Sequence, residues 1–208
     1  MTTPDEVANY LAAHIHTRAE VLAKQSPVPP VPGVYGWWFR ELPADDVNIA
    51  KCKARDGLVL LYAGISPKEP PKNGRGPSKE TLPSRIRTHY TGNAEGSTPR
   101  RTLGCLLAER LQIELRRYGS GTRLHFGLGE CDLSRWMDKN AFVSWLPLPQ
   151  PWLLEAHLLE TLDLPLNLDK NKRHPFHTTL TAIRGEAMTR ACALTVLPNP
   201  GVGGTQID

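Results

Sequence analysis

The chain has 208 residues, a formal net charge of +4, 40% hydrophobic residues and 22% charged residues. This length accommodates one well-cored domain with extensions, and the composition is that of an ordinary globular protein. The sequence has no apolar run long enough to span a bilayer, and its first residues lack the pattern of a signal peptide. The four cysteines are scattered and form no C-x-x-C pair, which argues against a zinc site and predicts reduced thiols in a cytoplasmic protein.

Positive charge is concentrated in one stretch of the chain. Between Lys68 and Arg101, eight basic residues stand against three acidic ones. A local excess of this kind suits a polyanionic partner such as a nucleic acid. Taken alone, the stretch is better explained as a solvated lysine-rich loop, so the inference of such a partner requires independent motifs.

The N-terminal part is predicted to be a helix, from a capping box that starts at Thr3 to about Leu22. On such a helix His14 and His16 are two residues apart and lie on different faces, which is poor geometry for a metal ion. The proline-rich segment 27–32 ends the helix.

Two apolar, β-favouring runs follow, over residues 34–39 and 58–65, and a long charged connection joins them. The stretch 67–83 is rich in proline and glycine and is predicted to be irregular, with Ser84 as the N-cap of a short helix after it. The patterns farther along predict a helix over 102–118, a strand over 123–128, a helix over 134–140, a strand over 141–146, a helix from Pro151 and a helix over 177–193.

Three short motifs in the first half carry groups that suit phosphate chemistry. Gly33-Val34-Tyr35 begins the first predicted strand, and Tyr62-Ala63-Gly64 ends the second. Arg85 and His89 are four residues apart, so they share one face of a helix. An arginine there can bind a phosphate through two parallel hydrogen bonds, and a histidine beside it can transfer a proton. Each motif alone is better explained as ordinary structure.

A fourth motif lies in the second half. Glu155 follows two leucines near the start of a strongly apolar helix, and Asn167 comes shortly after that helix. The helix dipole alone explains a carboxylate at this position, and asparagine commonly ends a helix. The functional explanation is a magnesium ligand, because Mg²⁺ is often held by one carboxylate together with water and substrate phosphate.

In this order, the motifs resemble the GIY-YIG nuclease superfamily over residues 33–167. The step from Glu155 to Asn167 is similar to that in the N-terminal domain of the excision-repair nuclease, and the Arg-x-x-x-His spacing is similar to that in the GIY-YIG restriction endonucleases. Val34 and Ala63 replace the isoleucines that name the family, but both are apolar strand positions, and no reacting group is lost.

The resemblance implies an α/β (α+β) fold: a small antiparallel three-stranded sheet flanked by helices, with extra N- and C-terminal helices. We predict a helical extension over residues 1–26, a nuclease domain over 27–170, and a C-terminal helix with a flexible tail over 171–208, all in one compact unit.

The resemblance also implies a metal-dependent endonuclease that hydrolyses phosphodiester bonds. Glu155 would bind one Mg²⁺ or Mn²⁺, and Arg85 would hold the phosphate. The general base for the attacking water is either Tyr35 or His89, and the resemblance favours Tyr35. Two further site residues are implied, Tyr62 as a positioning or polarising group and Asn167 as a residue that orients the Glu155 region or contacts backbone.

The expected partner is a nucleic acid, DNA in preference to RNA, with Lys72, Arg75 and Arg87 as phosphate contacts on charge alone. Cutting both strands of a duplex would require a homodimer or repeated action by one site. Two alternatives stay open. One is a non-catalytic nucleic-acid-binding module with the same fold, and the other is a protein-interaction scaffold, for which no salt-sensitive nucleic-acid binding is expected.

Overall fold

A computed structural model describes residues 4–74 and 76–199. In chain order its elements are α1 (Pro4–Ala12), α2 (Arg18–Leu22), β1 (Gly33–Phe39), β2 (Ala54–Arg55), β3 (Leu58–Ser66), α3 (Leu82–Thr91), α4 (Thr98–Leu106), α5 (Ala108–Leu111), β4 (Arg116–Tyr118), β5 (Arg123–His125), α6 (Gly129–Asn140), β6 (Ala141–Pro147), α7 (Pro151–Thr161) and α8 (His177–Ala193). The predicted α+β class is confirmed. The main antiparallel sheet has four strands rather than three, in the order β2-β3-β1-β6, and β4 pairs with β5 in a separate small sheet.

Strand β1 lies in the middle of the sheet and is buried along its whole length. Its side chains alternate between two faces. Tyr35, Trp37 and Phe39 pack in a core with residues of α3 and α6, whereas Val34 and Trp38 pack in a second core with residues of α1 and α7. A strand covered on both faces requires an unbroken apolar run, and this is why the sequence pattern predicted β1 correctly.

The prediction of one continuous N-terminal helix is wrong. Helix α1 ends at Ala12, and α2 begins only at Arg18. Between them, the backbone of His16 exchanges two hydrogen bonds with Val143 of β6, at N···O distances of 2.8 and 3.0 Å. Thr17 then caps α2 through a capping box. The chain leaves the helical path because a strand partner and a second helix cap satisfy its backbone groups instead.

The helix predicted over residues 102–118 is also wrong in its second half. Helix α4 begins earlier than predicted, after an N-cap at Ser97, and α5 stops at Gln112, which has a positive φ of 53°. Residues 116–118 form β4, and the Arg117 guanidinium donates hydrogen bonds to the carbonyls of Ala191 and Cys192 at the end of α8. This arginine therefore satisfies free carbonyl groups at the C-terminus of another helix.

Several smaller differences concern boundaries. Helix α3 starts at Leu82 after Thr81, so Ser84 lies inside the helix and is not its N-cap. Helix α6 starts at Gly129, ahead of the predicted residue 134. The predicted Thr3 cap and the tail over residues 200–208 lie outside the described residues. Within the described part of the chain, no helix is long and apolar enough to cross a membrane, and all four cysteines are free.

A buried arginine joins three helices beneath the sheet. Arg100 of α4 is 0% exposed, and its Nη2 lies 2.7 Å from Oε2 of Glu130 in α6. The same guanidinium donates to the carbonyls of His89 and Tyr90 at the end of α3, at 3.3 and 3.2 Å. Arg100 is therefore part of the protein interior and does not contribute to the basic surface that the sequence suggested.

We expect Arg100→Ala to lower the free energy of unfolding by about 3–5 kcal/mol, because it removes the fully buried guanidinium and leaves the half-buried Glu130 charge without its ion-pair partner. Arg101→Ala is the matched control, since Arg101 is partly exposed and lies 3.7 Å from the exposed Glu95, and it should cost at most about 1 kcal/mol. Urea unfolding of both variants measures the difference. Equal losses in the two variants would contradict this account of Arg100.

Candidate active site

A cleft of about 270 Å³ lies where β1 and β3 meet α3, α7 and the loop that follows α7. Five of the six residues predicted for the site line this cleft: Tyr35, Tyr62, Arg85, Glu155 and Asn167. They come from two strands, two helices and a loop, so the fold assembles them from positions far apart in the sequence.

Tyr35 and Tyr62 reach the cleft from neighbouring antiparallel strands. Tyr35 is paired with Gly64, and Tyr62 with Trp37, next to a register shift between β1 and β3. The ring of Tyr35 lies directly over Gly64, where an added Cβ would be 2.5 Å from the tyrosine hydroxyl oxygen. A side chain at position 64 would collide with the Tyr35 ring, so this ring position requires glycine there. This contact explains the glycine of the Y-A-G motif structurally.

The hydroxyl of Tyr35 is held by two side chains of α3. Its oxygen lies 2.8 Å from Nε2 of His89, and the Arg85 guanidinium is within hydrogen-bonding reach of the same oxygen. Because Arg85 can only donate, the tyrosine oxygen accepts from it. On the other side of the imidazole, Nδ1 of His89 lies 2.8 Å from the hydroxyl oxygen of Ser97. His89 is therefore held between Tyr35 and Ser97, and its tautomer decides which group donates in each contact.

His89 is the one predicted site residue that does not line the cleft. It is 0% exposed and sits behind Tyr35. Burial, reinforced by Arg85 and Arg100, holds the pKa of His89 well below its usual value, so the ring is neutral. Burial also raises the pKa of Tyr35 to about 12, and the nearby Arg85 opposes this rise. Tyr35 is consequently protonated at neutral pH in this structure.

Glu155 projects from the first half of α7 into the cleft, with only 15% of its side chain exposed. Burial raises the pKa of this carboxyl, and Lys170 opposes the shift. The lysine Nζ lies 3.6 Å from a Glu155 oxygen and 3.1 Å from an oxygen of Glu69. The cleft thus holds a carboxylate whose charge is already balanced by a cation, with Glu69 and Asp169 close by. One carboxylate, completed by water and substrate phosphate, is a ligand set that Mg²⁺ or Mn²⁺ accepts.

Asn167 does not face the cleft with a free amide. Its Oδ1 accepts from the Ala63 amide at 2.9 Å, and its Nδ2 donates to the Ala63 carbonyl at 2.7 Å. The preceding amide, of Leu166, donates to the Leu61 carbonyl at 3.0 Å. The side chain therefore fastens the loop after α7 to β3, which agrees with the predicted backbone contact and keeps Glu155 and Tyr62 in the same cleft.

Two of the residues predicted to contact nucleic acid lie outside the cleft. Lys72 and Arg87 are exposed and do not line it, and Arg75 lies outside the described residues. Sequence reasoning did not assign a role to Lys68 or Lys170, which do line it. Lys68 is two residues past the end of β3, and Lys170 is three residues past Asn167, so closeness to recognised motifs was the available signal.

An antiparallel sheet between helical layers, with tyrosines, an arginine and a buried carboxylate around one cleft, defines a nuclease-type domain. The family model described as GIY-YIG catalytic domain matches residues 33–186, about three quarters of the chain, and the protein belongs to this family. Members of the family are generally endonucleases. Neither the curated proteins nor the solved structures contain a significant match.

Proposed function

We propose that this chain is a divalent-metal-dependent endonuclease that hydrolyses phosphodiester bonds in DNA. The observation that carries the proposal is the convergence of Tyr35, Tyr62, Arg85 and Glu155 on one cleft of a GIY-YIG domain. A binding surface alone would not require a buried carboxylate opposite a hydrogen-bonded tyrosine and arginine.

Glu155 is the residue that would hold the metal ion, with water and substrate phosphate as the remaining ligands. Mg²⁺ or Mn²⁺, when bound, supplies neutralisation of the phosphate charge and stabilisation of the leaving oxygen. Arg85 faces the same space from α3 and would bind the scissile phosphate with its free guanidinium donors.

Tyr35 is the better of the two candidates for general base. It lines the cleft, whereas His89 is completely buried behind it and cannot touch a water molecule there. The 2.8 Å contact with Nε2 of His89 and the nearby Arg85 fix the position of the Tyr35 oxygen. In the proposed reaction the deprotonated form of Tyr35 takes the proton of the attacking water, and His89 acts by positioning Tyr35.

The remaining site residues have positioning roles in the proposal. Tyr62 lies beside the base, and burial raises the pKa of Tyr62 well above its usual value, so its hydroxyl stays protonated and can donate to the phosphate. Lys68 lines the cleft and supplies a further phosphate contact. Lys72, Arg75 and Arg87 would bind the DNA backbone away from the reacting phosphate.

The test is incubation of supercoiled plasmid with the protein and Mg²⁺ or Mn²⁺, beside a reaction containing EDTA. Metal-dependent nicking is the expected result for one cleft per chain, and linear product formed without a nicked intermediate would indicate a homodimer. A branched DNA, a flap DNA and an RNA are included to compare substrates. If every substrate stays intact, the catalytic proposal is wrong.

One observation favours the alternative of a non-catalytic nucleic-acid-binding module. Lys170 already neutralises Glu155, so the carboxylate has a cation without any metal. In a binding module this ion pair would be permanent, and the protein would bind DNA in a salt-dependent manner without cutting it. Metal binding by the Lys170 variant separates these two functions.

We expect Lys170→Met to bind Mn²⁺ about 3- to 10-fold more tightly than the wild-type chain. The substitution removes an ion pair with Glu155, worth about 1 kcal/mol, that competes with the metal ion. Calorimetric titration with MnCl₂ measures the change. Lys172→Met is the control, since Lys172 is exposed and does not line the cleft. Weaker binding by the Lys170 variant would show that the lysine supports the metal site instead of competing for it.

Gly64→Ala is expected to lower the cleavage rate by about 100-fold with little loss of the fold, because the new methyl group displaces the Tyr35 hydroxyl from its position. Gly76→Ala serves as the control, since an added Cβ at Gly76 has nothing within 4 Å. Cleavage rates of the two variants are compared at equal protein and metal concentrations. A Gly64→Ala variant with full activity would remove Tyr35 from the mechanism.

A further inference from the structure

Three potential metal ligands meet in the N-terminal segment, and none of them lines the cleft. The expected separation of His14 and His16 on a helix is wrong, because the chain is not helical between α1 and α2. Their ring centroids lie 4.4 Å apart. A ring nitrogen of each histidine and a carboxylate oxygen of Glu20 all lie within 4.8 Å of one another.

His16 is the fixed member of this cluster. Its backbone is hydrogen-bonded to Val143 in both directions, and its ring stacks on Trp145 with centroids 4.2 Å apart and an interplanar angle of 11°. Its Nδ1 atom is buried and, among the residues that the structure describes, has no hydrogen-bond partner. A buried nitrogen without a partner costs about 1–3 kcal/mol, so this position gains from a ligand.

Glu20 is oriented by the helix cap. One carboxylate oxygen, Oε2, accepts from the backbone amide and the hydroxyl of Thr17, both at 2.7 Å. The other oxygen, Oε1, is 4.0 Å from Nδ1 of His16. His14 and Glu20 are exposed, so both can move towards the rigid histidine.

We propose that His14, His16 and Glu20 form a binding site for a divalent transition metal, with Zn²⁺ as the best-fitting ion. Two imidazoles and one carboxylate, completed by water, are a common zinc ligand set, whereas Mg²⁺ prefers oxygen ligands alone. Ligand distances near 2 Å require the three donors to draw closer together, and the two exposed side chains supply that movement. The bound ion would fasten α2 to β6 through His16.

The site is independent of the proposed nuclease activity, and the experiment keeps the two apart. The full-length chain without an affinity tag is stripped of metal and titrated with ZnCl₂, and in parallel with CoCl₂. Two signals are recorded. One is the visible absorption of bound Co²⁺, and the other is the quenching of tryptophan fluorescence, to which Trp145 should contribute because it stacks on His16.

Two variants remove ligands while preserving the fold. His14→Ala alters an exposed side chain, and His16→Phe keeps a ring against Trp145 but removes the nitrogen. Both should weaken Zn²⁺ binding at least about 10-fold. His177→Ala, at the start of α8, should bind Zn²⁺ as the wild-type chain does. Glu155→Ala, which removes the proposed cleft ligand, should keep the Zn²⁺-dependent quenching to which Trp145 contributes.

Zinc should also raise the melting temperature of the wild-type chain and not that of His14→Ala, because the ion binds only the folded site. The proposal is overturned if the wild-type chain binds no Zn²⁺, or if His14→Ala and His16→Phe bind it unchanged. It is equally overturned if Glu155→Ala abolishes binding while His14→Ala retains it, since the ion would then occupy the cleft.

Discussion

Replacing Glu155 with alanine is expected to lower the rate of metal-dependent DNA cleavage by at least about 10³-fold. Glu155 is the buried carboxylate that faces the tyrosines and Arg85 across the cleft. Without it, a metal ion has no anchored protein ligand at that point, and the phosphate charge is neutralised only by basic side chains of the cleft such as Arg85 and Lys68. Plasmid nicking measured over a range of Mn²⁺ concentrations gives the rate and shows whether added metal restores it.

The matched control is Glu160→Ala. Glu160 lies on the same helix, five positions farther along, but is exposed and does not line the cleft. This variant should cleave at the wild-type rate and bind Mn²⁺ normally, whereas Glu155→Ala should lose both properties. If Glu155→Ala cleaves as fast as Glu160→Ala, the metal site lies elsewhere and the proposed mechanism fails.

Replacing Tyr35 with phenylalanine should lower the cleavage rate by about 10²- to 10⁴-fold, the usual contribution of a general base. It should also change the pH profile. Because the pKa of Tyr35 is raised to about 12, the reactive tyrosinate fraction increases as pH rises towards that value. The wild-type rate should therefore increase about tenfold per pH unit over the alkaline range, and the variant should lose this dependence.

A suitable control for the loss of a buried hydroxyl is Tyr90→Phe. The Tyr90 hydroxyl is buried and donates to the Ala141 carbonyl at 2.9 Å, outside the cleft. Both variants remove one buried hydroxyl, so their stabilities should fall by amounts of the same order, about 1 kcal/mol for each hydrogen bond lost. Retention of the alkaline rise in Tyr35→Phe would assign the base to another group.

The parts of the fold that the sequence predicted well are those in which local pattern and tertiary surroundings agree. Strand β1 and helix α8 fall within a residue of the predicted ranges. The failures have non-local causes. The predicted N-terminal helix is broken because His16 finds a strand partner in Val143, more than a hundred residues away. Arg117 belongs to a strand because its acceptors are carbonyls at the end of α8. The hydrophobic periodicity of a short sequence window carries no information about either of these long-range contacts.

The candidate site shows the same division. Motif order located Tyr35, Tyr62, Arg85, Glu155 and Asn167, and the fold brings all five to one cleft. The sequence left the base open between Tyr35 and His89, because only burial shows that the histidine stands behind the tyrosine. Lys170 also escaped prediction. Its ion pair with Glu155 forms in a loop where Lys170 itself has a positive φ of 62°. The sequence pattern does not predict that backbone conformation.

The contact between Asn167 and Ala63 has a consequence for solubility. Strand β2 pairs with β3 as far as Val59, and the Leu60 amide donates to the Lys53 carbonyl, so the part of β3 beyond Leu60 has an open side facing away from β1. Leu166 and Asn167 occupy that side by bonding to Leu61 and Ala63. An uncovered strand edge is a template for pairing with another chain. A change at Asn167 that frees this loop should therefore promote aggregation at the same time as it disturbs the cleft, so one side chain protects both the geometry of the cleft and this strand edge.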